Sequence, residues 1–381
     1  MFLIKKAVYL IINAKKGEEE MKKRSIWVGA LAISLLGLFY LEPSAMAQST
    51  YRMDIQTWAS GGPYLEQVKI FGKRIETMSA GRIKVNVLAG GVVAPSTKEF
   101  DALETGAIKW AVTSFNFALG RLGRVGGLFA ATPAGPNPSE LYAWWRWGDA
   151  KPFAEEMLKR AKADMVIVGG PVAYTGAESF GWFRKPVTSL SDFKGMKYRC
   201  MGLYGEVAKK LGAAVVNLPG GEIYQAYERG VIDAFEYCTP AMDYSAGFHN
   251  LKAVRMEPGF QSTNAALIFM TRTDTWAKVP NELKPIIESA TWASMEEYAW
   301  LMLEDAKAIK KFEEAGVKAH FLPKEVQREI VRQVDELHKE LGAQDPLYKK
   351  VNDSQEKFYS QFRSVEYVCQ PRYEWKYPFS R

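Results

Sequence analysis

Strand-like and helix-like segments alternate from residue 51 to residue 113, and this alternation restricts the fold more than any other feature of the sequence. The hydrophobic spacing predicts, in order, a strand over 51–57, a helix over 64–78, a strand over 83–87, a helix that ends at Gly106 and a strand over 108–113. Ser96 and Glu99 have the spacing of a capping box for the second helix. Such alternation is typical of an α/β domain with largely parallel strands.

A second alternating series begins near Pro171 and indicates a second α/β unit. Its strand candidates lie around Trp182 and over 197–201, 214–218 and 232–237, and its helices over 205–211 and 222–229. A strand over 265–271 would return to the first unit, and helical patterns over 282–315, 325–341 and 347–362 complete the chain. We therefore predict an α/β, two-lobed fold of the periplasmic-binding-protein type, with a hinge cleft and long C-terminal helices.

The predicted N-terminal lobe is discontinuous in sequence, whereas the C-terminal lobe is one continuous segment. Residues 48–171 with about 263–304 form the N-terminal lobe, and residues 172–262 form the C-terminal lobe. Residues 305–381 form helices that either brace the lobes or mediate a homodimer.

The segment from Met21 has the parts of a secretory signal peptide. Basic residues follow Met21, an apolar run extends over 26–40, and Ala45-Met46-Ala47 is a small-x-small cleavage site. We expect cleavage after Ala47 and a periplasmic location, with an uncleaved anchor as the alternative. Residues 1–20 fit poorly in front of such a segment, so we expect translation to start at Met21.

Composition excludes several functional classes. The chain has 50 Lys and Arg against 43 Asp and Glu, a net charge of +7, but no basic tract of the kind that binds nucleic acid. Cys200, Cys238 and Cys369 lack CxxC spacing, and the histidines lack metal-binding spacing. We expect Cys200 and Cys238 to be buried thiols, although one pair of cysteines could bridge in an oxidising compartment.

Several motifs in fixed order resemble one family. They are Gly81-Arg82-Ile83-Lys84-Val85, 100–108, 190–199, Leu218-Pro219-Gly220-Gly221-Glu222 and 230–236. Together they resemble the solute-binding proteins of TRAP (tripartite ATP-independent periplasmic) transporters, the DctP-like family. With 181–185 and Pro258-Gly259, the chain is similar to the subgroup that binds 2-oxo and 2-hydroxy monocarboxylates. The resemblance implies a receptor, not an enzyme, that captures a small carboxylate for TRAP permease subunits.

The resemblance also implies ligand-binding residues. Arg199 matches the arginine that forms a salt bridge with the ligand carboxylate, a role that suits the paired donors of a guanidinium. Asn116 lies where the subgroup has a pair of tyrosines, and it could donate a hydrogen bond to the oxo or hydroxy oxygen. Phe260 either walls the pocket or belongs to the core.

A bridging cation is the third implication. Glu236 and the backbone carbonyl of Tyr237 match cation ligands of the subgroup, and Glu178 stands where the subgroup has Gln. The extra carboxylate would favour a divalent ion, for which we predict Ca²⁺, with Na⁺ as the alternative. A protonated or otherwise paired Glu178 remains an open alternative.

Two other functions fit part of the sequence. An ABC-type binding protein is also exported and α/β, but the motifs around Arg199 and Glu236 are those of TRAP receptors. An exported carboxylate-acting enzyme could use Glu178 and Glu236 as an acid pair, but GxSxG and Walker motifs do not occur.

Overall fold

The computed structural model describes residues 50–369, so the predictions for residues 1–20 and 21–47 lie outside the described residues. The strands are β1 (Tyr51–Thr57), β2 (Ile83–Leu88), β3 (Trp110–Thr113), β4 (Met165–Tyr174), β5 (Gly181–Phe183), β6 (Lys197–Arg199), β7 (Ala214–Val216), β8 (Ala234–Phe235), β9 (Val254–Glu257), β10 (Ala266–Arg272) and β11 (Ala319–Phe321). The helices are α1 (Gly62–Met78), α2 (Glu99–Thr105), α3 (Leu119–Leu122), α4 (Pro138–Trp147), α5 (Ala150–Arg160), α6 (Tyr204–Lys210), α7 (Ile223–Glu228), α8 (Pro240–Ser245), α9 (Thr273–Ala277), α10 (Lys284–Thr291), α11 (Met295–Glu314), α12 (Lys324–Gln344) and α13 (Pro346–Cys369).

The first sheet has the strand order β2-β1-β3-β10-β4, and we call it and its helices the first lobe. β1 pairs in parallel with β2 and β3, whereas β10 is antiparallel to both β3 and β4. β10 is the predicted returning strand, and its nearly continuous apolar run suits a central strand buried on both faces. In the core, Trp110 stacks on Phe269 with ring centroids 5.3 Å apart.

The second sheet has the order β11-β9-β5-β8-β6-β7, and we call it and its helices the second lobe. β6 is parallel to β7 and β8, and β5 is antiparallel to β8 and β9. The expectation of largely parallel strands is confirmed, with one antiparallel strand in each sheet, β10 in the first and β5 in the second. β9 and β11 were not predicted; β9 has buried Arg255 beside Met256, which hides its apolar pattern.

The capping box predicted at Ser96 and Glu99 does not form. The Ser96 hydroxyl donates to the carbonyl of Trp58 at 2.6 Å, and α2 begins only at Glu99. The buried Glu99 carboxylate accepts from the Thr97 amide and the Thr113 hydroxyl, each at 3.2 Å. Because Glu99 faces the end of β3, it satisfies polar groups of the loop rather than the helix end.

The C-terminal helices connect the two lobes. α12 packs on α6 of the second lobe, and α13 packs on α4 and α5 of the first lobe. The Gln355 amide on α13 donates to the carbonyl of Leu128 at 2.6 Å in a buried contact. This arrangement supports the bracing role, while the homodimer and the exact lobe boundaries stay predictions. No helix within residues 50–369 is both long enough and apolar enough to cross a membrane.

Candidate functional site

A cavity of about 310 Å³ lies where the two lobes meet. Its lining comes from the carboxyl ends of β1 and β3 in the first lobe and of β6 and β8 in the second lobe. The two segments that cross between the lobes add Glu178, Gln261 and Ser262. Parallel α/β sheets bind ligands at this end of their strands, so this cavity is the candidate site.

Strand pairing in the second lobe places Arg199 beside Glu236. The Glu236 amide donates to the carbonyl of Arg199 at 3.0 Å, as the parallel ladder between β6 and β8 continues. Arg199 Nη1 donates to Glu236 Oε1 at 2.9 Å and to the Glu236 carbonyl at 2.6 Å, and Nε donates to the carbonyl of Leu218 at 3.1 Å. Arg199 is only 4% exposed, so this ion pair is largely desolvated.

These bonds leave one side of the guanidinium for a ligand. Nη2 is the remaining nitrogen, and it donates at 3.0 Å to Sδ of Met201, which is a weak acceptor. A ligand carboxylate can therefore meet Nη2, whereas a two-pronged grip requires a protein bond to open. The contact of both guanidinium donors with the ligand carboxylate therefore stays a prediction.

The two glutamates of the site differ in their protonation. Burial raises the pKa of the Glu178 carboxyl well above its usual range, and the negative charges of Glu236 and Asp243 raise it further. Burial also raises the pKa of Glu236, but the Arg199 charge and a 2.9 Å bond from the Met201 amide oppose that shift. Glu178 therefore holds a proton more readily than Glu236, unless a cation binds beside it.

The cysteines take no part as charged ligands. Cys238 lines the cavity, but burial and the nearby acids raise the pKa of its thiol well above the usual range. Cys200 packs in the core beside Tyr198 and Tyr204. All three cysteines are free, which confirms that Cys200 and Cys238 are buried thiols.

The donor atoms fit an oxygen-bound cation. Within residues 50–369, no group of three or more His, Cys, Asp or Glu side chains could hold a metal ion. A cation held by Glu178 and Glu236 would therefore need neutral oxygens to complete its ligand set. Gln261 Oε1 is buried without a hydrogen-bond partner, and Tyr237 also lines the cavity. Two carboxylates with neutral oxygens suit calcium, or sodium with one carboxyl protonated.

Asn116 lines the cavity, as the sequence predicted for a residue that could contact the ligand. It lies in the short 3₁₀ helix Phe115–Ala118 after β3, where the Ser114 hydroxyl accepts from the Asn116 amide at 3.3 Å. Its Oδ1 is buried without a partner. A Cβ on Gly202 of the second lobe would lie 3.3 Å from Asn116 Cγ, so the side chain is packed across the cleft.

Phe260 does not line this cavity, and its predicted role as a pocket wall is corrected. Its side chain borders a separate surface groove with α12, beside Lys324 and Val331. The Phe260 carbonyl accepts from the Ala134 amide at 2.8 Å, while Gln261 and Ser262 turn to the cavity instead. The local turn thus directs the residues after Phe260, rather than Phe260 itself, to the site.

The sequence also left Trp58, Tyr64 and Gln261 unassigned. Trp58 directly follows β1, and its ring meets Tyr64 and Phe117 edge-on, each with centroids 5.5 Å apart. A residue just after a predicted strand is a signal that could have identified Trp58. No comparable signal marks Gln261.

Gly259 holds the two crossing segments together. A Cβ at this position would lie 1.8 Å from the carbonyl oxygen of Glu178. We expect Gly259→Ala to lower the free energy of unfolding by about 2–3 kcal/mol, because the backbone must move apart. Chemical denaturation measures the change. Gly120→Ala is the control, because no atom lies within 4 Å of its Cβ; an equal effect of both substitutions would contradict the close contact.

Comparisons with known proteins identify the family of the chain. The model of the family described as bacterial extracellular solute-binding protein, family 7 (DctP), matches residues 55–345. A monocarboxylate 2-oxoacid-binding periplasmic protein of Nostoc sp. is 28% identical over 306 residues, which are 79% of this chain and 82% of that protein.

Solved structures of TRAP solute-binding proteins are also similar. A protein from Pseudoalteromonas atlantica with bound sodium and pyruvate has a TM-score of 0.78 and 27% identity, covering 84% of this chain and 98% of that one. A protein from Colwellia psychrerythraea with bound calcium and pyruvate has a TM-score of 0.78 and 26% identity, covering 84% and 97%. A Bordetella bronchiseptica protein, described as a dimer with copurified calcium and picolinate, has a TM-score of 0.77 and 25% identity, covering 84% and 95%.

Proposed function

Because the chain belongs to the DctP family of bacterial extracellular solute-binding proteins, we propose that it captures a small monocarboxylate, of the 2-oxo or 2-hydroxy type, in the periplasm for a TRAP permease. The family and the similar structures are solute-binding receptors, so the chain is a receptor and not an enzyme. The alternatives of an ABC-type protein and an exported enzyme are set aside on the same ground.

One observation carries the proposal. Arg199, Asn116, Glu178 and Glu236 come from distant parts of the chain and line the same cavity between the lobes. A carboxylate in this cavity can accept from Arg199 Nη2, and its neighbouring oxo or hydroxy oxygen can accept from the Asn116 amide. The two contacts come from different lobes, so a ligand that makes both favours the closed arrangement.

A cation balances the charge of the site. The positive charge of Arg199 offsets Glu236, which leaves the ligand carboxylate and an ionised Glu178 uncompensated in a buried place. We therefore assign Ca²⁺ to the site, held by Glu178, Glu236 and neutral oxygens, with Na⁺ as the alternative if Glu178 keeps its proton. A bound Ca²⁺ supplies positive charge to which a ligand oxygen can be attracted.

The contact between the lobes allows release. Arg124 of the first lobe pairs with Glu206 of the second at 3.0 Å, but both side chains are accessible to solvent. Exposed pairs contribute at most about 1 kcal/mol. This pair therefore contributes little to closure, which is compatible with the release that delivery to membrane partners requires. A homodimer through the C-terminal helices remains part of the proposal, supported by the dimeric Bordetella relative.

A thermal-shift experiment tests the function. We expect 2-oxo or 2-hydroxy monocarboxylates with calcium to raise the unfolding midpoint by about 5 °C at saturating concentration, since ligand binding stabilises by mass action. Chelation should remove most of the shift, and sodium should replace calcium poorly. An equal response to sugars that lack a carboxylate would contradict the proposal. An undiminished response after chelation would contradict the proposed role of the cation.

A further inference from the structure

The cavity is divided chemically between its two lobes. All charged groups lie outside the first lobe, and the second lobe also contributes apolar groups such as Met201 and Tyr237. The first lobe contributes only uncharged side chains, some of them polar, such as Ser96 and Ser114, and the others aromatic or aliphatic. The latter, which we call the apolar wall, are Trp58, Tyr64, Phe117, Ala131 and Leu267. No charged residue of the first lobe borders the cavity among the described lining residues.

The apolar wall is held in place by the core behind it. Tyr64 and Leu267 are 1% and 2% exposed, and the edge-on contacts of Trp58 fix its ring against Tyr64 and Phe117. Trp58 and Phe117 are themselves only partly buried, and both border the cavity. An apolar surface of this kind is stabilised when a ligand removes it from water.

The volume of the cavity exceeds the volume of pyruvate. A volume of about 310 Å³ corresponds to roughly ten water molecules at liquid density. Pyruvate has the volume of roughly four water molecules, so it would leave about half of the space to water, even beside a cation. The lobes already touch near the cavity at Asn116 and Gly202, so the volume is not that of a wide-open cleft.

We infer that the ligand is a 2-oxo or 2-hydroxy monocarboxylate with a bulky apolar side chain, which lies against the apolar wall while the carboxylate faces Arg199. This inference rests on the proposed function and specifies its substrate class. Asn116 lies between the two regions, where the 2-oxygen of such an acid would be. Each methylene buried against the wall strengthens binding roughly fourfold.

Calorimetric titration of the calcium-loaded protein tests the inference with pyruvate, 4-methyl-2-oxopentanoate and phenylpyruvate. We expect at least one of the two larger acids to bind at least about tenfold more tightly than pyruvate. Pyruvate binding as tightly as both larger acids would overturn the inference and leave the proposed function intact. Failure of all three acids, with calcium or with sodium, would instead contradict the proposed function itself.

Two variants locate the side-chain site. Ala131→Leu reduces the space beside the wall, and Trp58→Ala removes its largest surface. We expect each substitution to lower the affinity for the preferred larger acid by at least about tenfold and the affinity for pyruvate by less than about threefold. Trp147→Ala, at a residue 74% exposed and away from the cavity, is the control. If both variants weaken the binding of all three acids by the same factor, the wall does not discriminate between them and the inference fails. If Trp58→Ala misfolds, Ala131→Leu alone still provides this test.

Discussion

Replacing Arg199 by Met should weaken ligand binding by about 100-fold or more, the largest loss that we expect from one side chain at this site. Nη2 is the nitrogen through which the guanidinium can meet the ligand, and a thioether offers no donor there. Calorimetric titration with a 2-oxo acid measures the change. Arg121→Met, which removes an exposed arginine paired with Glu104, controls for the loss of one positive charge.

The same substitution should also affect stability, because it leaves Glu236 buried without its partner. Breaking a buried ion pair lowers the free energy of unfolding by about 3–5 kcal/mol. Protonation of Glu236 would make this loss smaller, because the side chain then carries no charge. Loss of Arg199 raises the pKa of the folded-state Glu236 carboxyl further above the unfolded value. A raised folded-state pKa gives stability at low pH that is lost as the pH rises, so the deficit of Arg199→Met should grow with pH.

Arg199→Lys separates these two effects. Lysine keeps a positive charge beside Glu236, so we expect most of the stability to remain. The three donors of an ammonium group cannot serve the Leu218 carbonyl, two oxygens of Glu236 and the ligand at once, so affinity should still fall by about tenfold. Unchanged affinity in both Arg199 variants would show that the arginine maintains the fold without contacting the ligand.

The location of the charged half of the site could be predicted from sequence. Arg199 and Glu236 stand at the ends of neighbouring parallel strands, and the ladder between β6 and β8 fixes their proximity. What could not be predicted is how the guanidinium donors are divided among their acceptors, since the bond to Leu218 depends on the conformation of the loop after β7. Contact of the ligand carboxylate with two guanidinium donors at once therefore stays a prediction, because it requires one of these protein bonds to open.

The irregular segments were harder to predict. Phe260 donates its amide to the carbonyl of Pro258 at 3.0 Å in a tight turn, so the alternation that orients side chains along a strand does not apply there. Phe260 consequently faces α12, and Gln261 faces the ligand cavity. Trp58 was missed for another reason, since it lies outside the motifs that carried the resemblance and is marked only by its place directly after β1.

The strands of the fold show the same contrast. β1 and β10 were predicted close to their observed limits, because their apolar residues follow the spacing of buried strands. β11 lacks that signal, since all its residues are exposed, and it joins the sheet only through pairing with β9. Such strands are specified by tertiary pairing rather than by their own sequence.

Glu178→Gln should lower the calcium affinity on the order of 100-fold, because the charge of the ligand set governs affinity for a divalent ion. Gln keeps the shape and one oxygen donor of the side chain, so sodium binding should be much less affected. Isothermal titration with each ion measures the change. Glu222→Gln removes an exposed carboxylate at the same cavity and should reduce calcium affinity by less than about threefold. Equal losses of calcium affinity in the two variants would show that Glu178 acts through its negative charge at a distance and not by coordinating the ion.

Calcium binding should also release a proton, because the pKa of Glu178 in the ion-free site lies well above its usual range. At pH values below that raised pKa, the apparent affinity should fall about tenfold for each unit of acidification, and above it the affinity should become independent of pH. Titrations in buffers of different ionisation enthalpy count the protons released, and Glu178→Gln should release almost none. A carboxyl with a raised folded-state pKa destabilises the ion-free protein as the pH rises, whereas the calcium-bound form escapes this cost. The thermal stabilisation by calcium should therefore increase with pH, and a stabilisation that is constant from acid to alkaline pH would mean that Glu178 is not a calcium ligand.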